Sequence, residues 1–160
     1  MMKIFNSPTK GKMDLRGVAE EIVNYIKEEP DMKYQLIIGS DSEGNGKIEM
    51  VTAIIIYRKK KGGRYFWRKT EFDKIITLRQ KIYKEVELSI STGQELVKIL
   101  NSYLIKEDFR NNLEIHIDVG ENGPTKDLIR EVVGMVLGFG FRARTKPQSF
   151  GASLVADRHI

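Results

Sequence analysis

The chain has 160 residues, 41% hydrophobic and 31% charged, a composition that excludes a wholly disordered protein and leaves room for one domain. Lys and Arg number 27 against 22 Asp and Glu, and this surplus of +5 permits an anionic partner without requiring one. Cysteine is absent, which excludes disulfides, thiolate zinc sites and cysteine nucleophiles. The N-terminal segment lacks the apolar core of a secretory signal, and no apolar run approaches the roughly 20 residues that span a bilayer, so we expect a cytoplasmic protein.

The first part of the chain predicts a polar arm, an amphipathic helix and three strands. Residues 1–13 are polar, which suggests an arm along the surface. From Asp14 to Glu29 apolar residues recur at three- and four-residue spacing, which predicts a helix that Asp14 caps and Pro30 ends. Three segments rich in β-branched or alternating residues follow on short turns, which predicts an antiparallel meander. These segments are residues 34–41, 48–58 and 64–72.

In the remaining sequence the hydrophobic period alternates between that of helices and that of strands. The predicted elements are a long helix from Thr77 to about Leu104, a strand from Leu113 to Val119, a helix from Thr125 to Leu137, a strand from Phe141 to Thr145 and a helix from Ser149 to Asp157. A leading helix followed by β-β-β-α-β-α-β-α predicts a single α/β domain, with an arm and helix over 1–33 and a core over 34–160. Strands separated by helices imply parallel crossovers in this part.

Two aspartates stand where strands are predicted to end. Asp41 terminates the apolar run YQLIIGSD, and Asp118 lies near the end of LEIHIDV. Open α/β sheets bind ligands beyond the carboxyl ends of their strands, so parallel neighbours would bring these two carboxylates together. Capping of the following turn is the alternative role for either residue.

Two further acids lie beside apolar helical faces. Glu85 falls at the edge of the core-facing stripe of the long helix, and Asp157 follows small and apolar residues of the last helix. A position at the helix rim, in contact with water, is the alternative for Glu85. Carboxylates gathered at one spot repel each other unless cations compensate, and oxygen ligands select Mg²⁺ or Mn²⁺. Two such ions can support phosphodiester cleavage.

A basic hairpin is the second candidate site. Lys59, Lys60, Lys61 and Arg64 adjoin the aromatic run Tyr65 to Trp67. Basic side chains follow phosphates and aromatic rings stack on unpaired bases, so this hairpin is a candidate nucleic-acid contact. A solvated hairpin with half-buried aromatic rings is the alternative.

Four polar residues outside this hairpin also allow an interpretation. Lys146 and Ser149 follow the last predicted strand and could contact a phosphate, or they could simply be solvated. His159 could transfer protons near a metal site or be a terminal polar residue. His116 lies within a strand, so we expect a buried, hydrogen-bonded histidine rather than a metal ligand.

Several motifs together resemble a known family. The order of elements, with Asp41, Glu85, Asp118 and Asp157, resembles the ribonuclease H-like fold and its four-acid, two-metal site. More narrowly, the chain resembles the YkuK-like bacterial family in the stretches IGSDS (38–42), KIYKEVELS (81–89), IHIDVGENGPTKDLI (115–129), VGMVLGFGF (133–141) and KPQSFGASLVAD (146–157). The resemblance implies a mixed five-stranded sheet with helices on both faces, in which Asp41 lies on the central strand beside the strand of Asp118. The leading helix is an addition to that minimal fold.

The resemblance also implies an activity. Asp41 would bridge two Mg²⁺ or Mn²⁺ ions, Asp118 and Glu85 would hold one of them, and Asp157 the other. We therefore expect a metal-dependent nuclease acting on RNA, DNA or a hybrid. The fold also occurs in inactive proteins, so a non-catalytic nucleic-acid-binding module with a degenerate site is the alternative, and a protein-interaction scaffold is a third.

Overall fold

The part of the chain that the structure describes forms seven strands and four helices. This computed structural model describes residues 3–43, 47–72, 77–103, 105, 109–119 and 126–146. The strands are β1 (Ile4–Ser7), β2 (Gly11–Asp14), β3 (Tyr34–Glu43), β4 (Ile48–Arg58), β5 (Gly63–Phe72), β6 (Glu114–His116) and β7 (Arg142–Arg144). The helices are α1 (Leu15–Glu28), α2 (Leu78–Leu100), α3 (Phe109–Asn112) and α4 (Lys126–Gly138). The last predicted helix, Ser149 to Asp157, lies outside the described residues.

All seven strands belong to one mixed sheet, in the order β2-β1-β5-β4-β3-β6-β7. The meander β3-β4-β5 is antiparallel, whereas β6 pairs in parallel with β3 and with β7. This arrangement confirms the mixed α/β class, the antiparallel first part and the parallel crossovers. The strand count differs from the five expected, because β1 and β2 extend the edge beyond β5.

The two additional strands correct the expectation for residues 1–13. Instead of an arm along the surface, β1 and β2 form a hairpin, and β1 joins β5 through the pair Asn6 and Trp67. The polar composition of residues 1–13 gives no indication that Phe5 is buried. Phe5 is 1% exposed and belongs to the main core, so its burial fixes the hairpin on the sheet. Gly11, with φ of +78°, supplies the backbone conformation that the turn needs.

The long helices α1, α2 and α4 share one hydrophobic core with one face of the sheet. The side chains of Leu36 and Ile38 belong to this core, and since strand residues alternate between faces, Ile37 lies on the other face. Asp14 caps α1 as predicted, accepting a hydrogen bond from the Gly17 amide at 2.9 Å. None of the described helices is long and apolar enough to cross a membrane. Helices on both faces remain a prediction, because the described ones cover a single face.

The closeness of α2 to the sheet depends on Gly93. A Cβ at this position would lie 3.4 Å from the Phe141 ring and 3.6 Å from Ile38. We expect Gly93→Val to lower the free energy of unfolding by about 1–3 kcal/mol through overpacking, measured by urea denaturation. The matched control is Gly134→Ala in α4, where no atom lies within 4 Å, and a gain of about 0.5–1 kcal/mol is expected there. Equal effects of the two substitutions would contradict this account of α2 packing.

Candidate active site

A cleft of about 190 Å³ opens where β3 and the chain after β6 reach one end of the sheet. It contains three of the four acids predicted from the sequence, together with two lysines. Its lining residues are Asp41, Leu78, Lys81, Ile82, Glu85, Asp118, Val119 and Lys146. The cleft therefore lies at the carboxyl ends of parallel strands, where open α/β sheets bind their ligands.

The parallel pairing of β3 with β6 brings two of these acids together. Gly39 pairs with His116, and both Asp41 and Asp118 follow two residues later along their chains. Equal offsets from one paired row place the two aspartates side by side, as the strand pattern predicted. The backbone amide of Ser42 donates to Oδ1 of Asp41 at 2.9 Å and orients its carboxylate.

The crowding of charge changes how Asp41 titrates. Burial and, secondly, the charge of Asp118 raise the pKa of Asp41 to about 6. The amide of Ser42 and the ammonium of Lys81 act in the opposite direction but do not cancel the rise. The negative charge of the cleft is thus only partly compensated by the protein itself.

Glu85 reaches the cleft from α2 and is 6% exposed. The hydroxyl of Ser42 donates to Oε2 of Glu85 at 2.6 Å. Burial raises the pKa of Glu85 to about 8, against the lowering effects of Ser42 and Lys81. Glu85 therefore lies on the core-facing side of α2, as predicted, and its side chain is buried. The alternative, a rim position in contact with water, is wrong.

A seam of buried hydroxyl groups fixes α2 against the end of β3 and β4. The Ser40 hydroxyl lies 2.9 Å from that of Ser89 on α2 and 3.1 Å from that of Thr52 on β4. Ser40 and Ser42 alternate along β3, so both face α2, and Ser42 extends the same seam to Glu85. These contacts hold Glu85 at one height above the sheet.

The cations of the cleft come from two different elements. Nζ of Lys146 lies 3.0 Å from Oδ1 of Asp118, so the residue predicted as a phosphate contact instead forms an ion pair with an acid of the site. Lys81 was not identified from the sequence as a site residue. Its signal is the four-residue spacing to Glu85, which places both side chains on one face of a helix.

The basic hairpin does not adjoin this cleft. Because β4 runs antiparallel to β3, Arg58 pairs with Tyr34, and the following turn with Lys59, Lys60 and Lys61 lies at the opposite end of the sheet. Seven residues of β3 separate Tyr34 from Asp41, which corresponds to about 23 Å. These lysines therefore do not flank the acids, and their contact with nucleic acid stays a prediction.

The remaining candidates have different outcomes. Arg64, also at the far end, stacks over the Tyr25 ring at 4.8 Å. His116 is buried and its Nε2 lies 3.1 Å from Glu114 Oε1, which confirms the expectation of a hydrogen-bonded core histidine. Three predicted site residues lie outside the described part of the chain, namely Ser149, Asp157 and His159.

The donor set of the cleft fits a hard divalent cation. Asp41, Glu85 and Asp118 offer only carboxylate oxygens, which are the ligands that hard divalent cations prefer, and the pKa values of the first two are raised mainly by burial. Within the described residues, no group of three or more acidic or histidine side chains is already arranged to hold a metal ion. Asp118, one of these acids, is paired with Lys146 in this structure.

Comparison with known proteins agrees with this architecture. A family model described as "Ribonuclease H-like" matches residues 17–160. The chain is 29% identical over 167 residues to the "Uncharacterized protein YkuK" of Bacillus subtilis (strain 168), covering 97% of this chain and 95% of that protein. No solved structure matches significantly. The family match covers most of the sequence, and the resemblance stated from the motifs is confirmed. The chain therefore belongs to the ribonuclease H-like family.

Proposed function

We propose that this protein is a Mg²⁺- or Mn²⁺-dependent nuclease that hydrolyses phosphodiester bonds of nucleic acid at the cleft. The observation that supports this most is the side-by-side placement of Asp41 on β3 and Asp118 just after the parallel strand β6, with Glu85 lining the same cleft from α2. Burial raises the pKa of Asp41 and Glu85, and the neighbouring acids add to the rise, so a bound cation would stabilise the ionised carboxylates of this small cleft.

Each acid has a proposed role. Asp41, Glu85, Asp118 and Asp157 would hold the ions through their carboxylates. When bound, the ions would supply an activated water and offset the charge of the phosphate. Within the chain itself, Ser42 orients Glu85 through its hydroxyl and Asp41 through its backbone amide.

The lysines of the cleft suit the approach of a phosphodiester. Lys81 lines the cleft together with the acids, and its charge opposes the rise in the pKa of both Asp41 and Glu85. Lys146 pairs with Asp118, and its ammonium would suit a phosphate oxygen of the substrate at the same place. We also propose that Ser149 contacts a phosphate and that His159 transfers a proton.

A cleavage assay on a substrate panel tests this function. Single-stranded RNA and DNA, duplexes, a hybrid and a branched junction are incubated with the protein and Mn²⁺, with and without EDTA. We expect cleavage of at least one class, complete loss of that cleavage in EDTA, and loss in Asp41→Asn. Cleavage that persists in EDTA would contradict a metal-dependent mechanism, and no cleavage of any substrate would contradict the nuclease.

The ion pair between Lys146 and Asp118 supports a second candidate function. A lysine that neutralises one acid of the site is the arrangement expected of a nucleic-acid-binding module that retains the fold without metal catalysis. A gel-shift experiment with the same substrates in EDTA distinguishes the two. Metal-independent binding, combined with no cleavage in Mn²⁺, would favour the binding module.

A further inference from the structure

A second and larger cavity, of about 600 Å³, lies at the opposite end of the sheet. It is formed by the start of β3, the start of β6, β7 and the loop before β3. Its lining residues are Pro30, Asp31, Met32, Lys33, Tyr34, Gln35, Lys59, Asn112, Glu114, Arg142 and Arg144. None of these residues belongs to the carboxylate cleft, so the cavity is a separate feature of the molecule.

Positive charge dominates this far cavity. Four of its side chains are cationic, and two, Asp31 and Glu114, are acidic. Glu114 is already compensated, because His116 lies 3.1 Å from its Oε1 and Arg144 Nε lies 3.6 Å from the same oxygen. The hydrogen bond with His116 lowers the pKa of Glu114, so this buried acid is ionised and satisfied within the protein.

Three cations of the far cavity have no such partner. Lys33, Lys59 and Arg142 are exposed, and no carboxylate in the described ranges forms an ion pair with any of them. Cations that converge on one concave surface repel each other and attract anions, and Asp31 can offset only one of these three charges. A ligand carrying more than one phosphate group would satisfy this arrangement.

A row of basic side chains connects the far cavity with the cleft. Arg142 and Arg144 alternate along β7 and therefore share one face, and Lys146 follows at the same interval with its side chain in the cleft. Side chains two residues apart on a strand repeat at about 6.8 Å, a spacing comparable with that of successive phosphates along an extended nucleic-acid strand. Gln35 in the cavity and Asp41 in the cleft are six residues apart on β3, which corresponds to about 20 Å.

We propose that the far cavity is a second phosphate-binding site, and that one nucleic-acid strand runs along β7 from the cleft to this cavity. Arg144 and Arg142 contact backbone phosphates on the way, and Lys33 and Lys59 contact them at the far end. The inference rests on the proposed function for the choice of nucleic acid as the ligand. It adds to that function the direction and the length of the bound nucleic-acid strand, because the strand must extend about 20 Å to one side of the cleft to occupy both sites.

Salt-dependent binding tests the far cavity without requiring cleavage. The double variant Arg142→Gln, Lys59→Gln is compared with the wild type and with Lys12→Gln, Lys98→Gln, which removes two exposed charges elsewhere. A labelled single-stranded oligonucleotide is titrated in EDTA at several salt concentrations. We expect the slope of log affinity against log salt to fall by about 1.4 in the cavity variant, which corresponds to two lost phosphate contacts, and to stay unchanged in the control.

A slope equal to that of the wild type in the cavity variant would overturn the second site, and so would an equal loss in the control variant. Shortening the oligonucleotide should abolish the difference between cavity variant and wild type once the strand no longer spans both sites, and a difference independent of length would also contradict the proposal. Cleavage in Mn²⁺, measured separately, distinguishes failure of the second phosphate-binding site from failure of the proposed nuclease function. A protein that cuts but shows no slope change lacks only the second site, whereas a slope change without cleavage contradicts only the nuclease.

Discussion

Replacing Asp41 with asparagine should reduce metal-dependent cleavage by about a thousandfold or more, because a bound ion contributes several kcal/mol to the transition state. The same substitution should leave the free energy of unfolding unchanged or raise it. Burial and the charge of Asp118 both disfavour the ionised form of Asp41, and asparagine relieves both effects while retaining an oxygen for the Ser42 amide. A simultaneous loss of activity and retention of stability separates a catalytic role from a structural one.

The measurements are initial cleavage rates in Mn²⁺ and urea denaturation in EDTA at neutral pH. The matched control is Asp127→Asn, which removes an exposed acid in the first turn of α4. It should cleave at the wild-type rate. Full activity of Asp41→Asn would disprove the proposed site, and a large loss of stability would mean that the Asp41 carboxylate supports the fold rather than the chemistry.

The wild-type protein should lose stability between about pH 5 and pH 8 in the absence of divalent cations. The pKa of Glu85 rises from 4.5 to about 8 on folding, so between these values the unfolded chain has released a proton that the folded protein retains. Stability then falls as pH rises through this window, by as much as a few kcal/mol. Asp41, with a pKa of about 6, adds a change of the same sign below that value.

Glu85→Gln should remove most of this dependence. Glutamine keeps an acceptor for the Ser42 hydroxyl but carries no proton that titrates, so the variant should exceed the wild type by about 2–3 kcal/mol at pH 8 and match it near pH 5. Glu87→Gln, two residues away on the exposed side of α2, is the control and should follow the wild type. Urea denaturation at pH 5, 6.5 and 8 measures all three. A parallel pH dependence of wild type and Glu85→Gln would show that another group is responsible.

The position of the carboxylates could be predicted because it depends on local rules. An apolar run that ends in Asp41 and an alternating run that ends near Asp118 define strand ends, and the helices between them imply parallel pairing. Glu85 followed from its place on the helical stripe. In each case the feature that locates the residue lies within a few positions of it in the sequence.

Features that depend on distant pairing could not be predicted in the same way. The hairpin of β1 and β2 is held on the sheet because Phe5 packs in the core and β1 pairs with β5. No residue near positions 4–14 indicates from the sequence that β5 is the pairing strand. The basic turn at Lys59 to Lys61 was predicted as a nucleic-acid contact from its composition. Its position at the end of the sheet opposite the acids follows only from the antiparallel direction of β4. The ion pair of Lys146 with Asp118 arises only when two parallel strands end together.

The hydroxyl seam along Ser40, Ser42 and Ser89 has a consequence for how α2 docks on the sheet. An apolar interface tolerates sliding of a helix by part of a turn, because apolar contacts have no preferred direction. Buried hydroxyl groups allow only one position of the helix, since any displacement leaves their hydrogen bonds unsatisfied. The seam therefore adds little to the strength of the interface but excludes its neighbouring registers. The accuracy with which Glu85 on α2 meets Asp41 and Asp118 at the end of the sheet is set by three small serines.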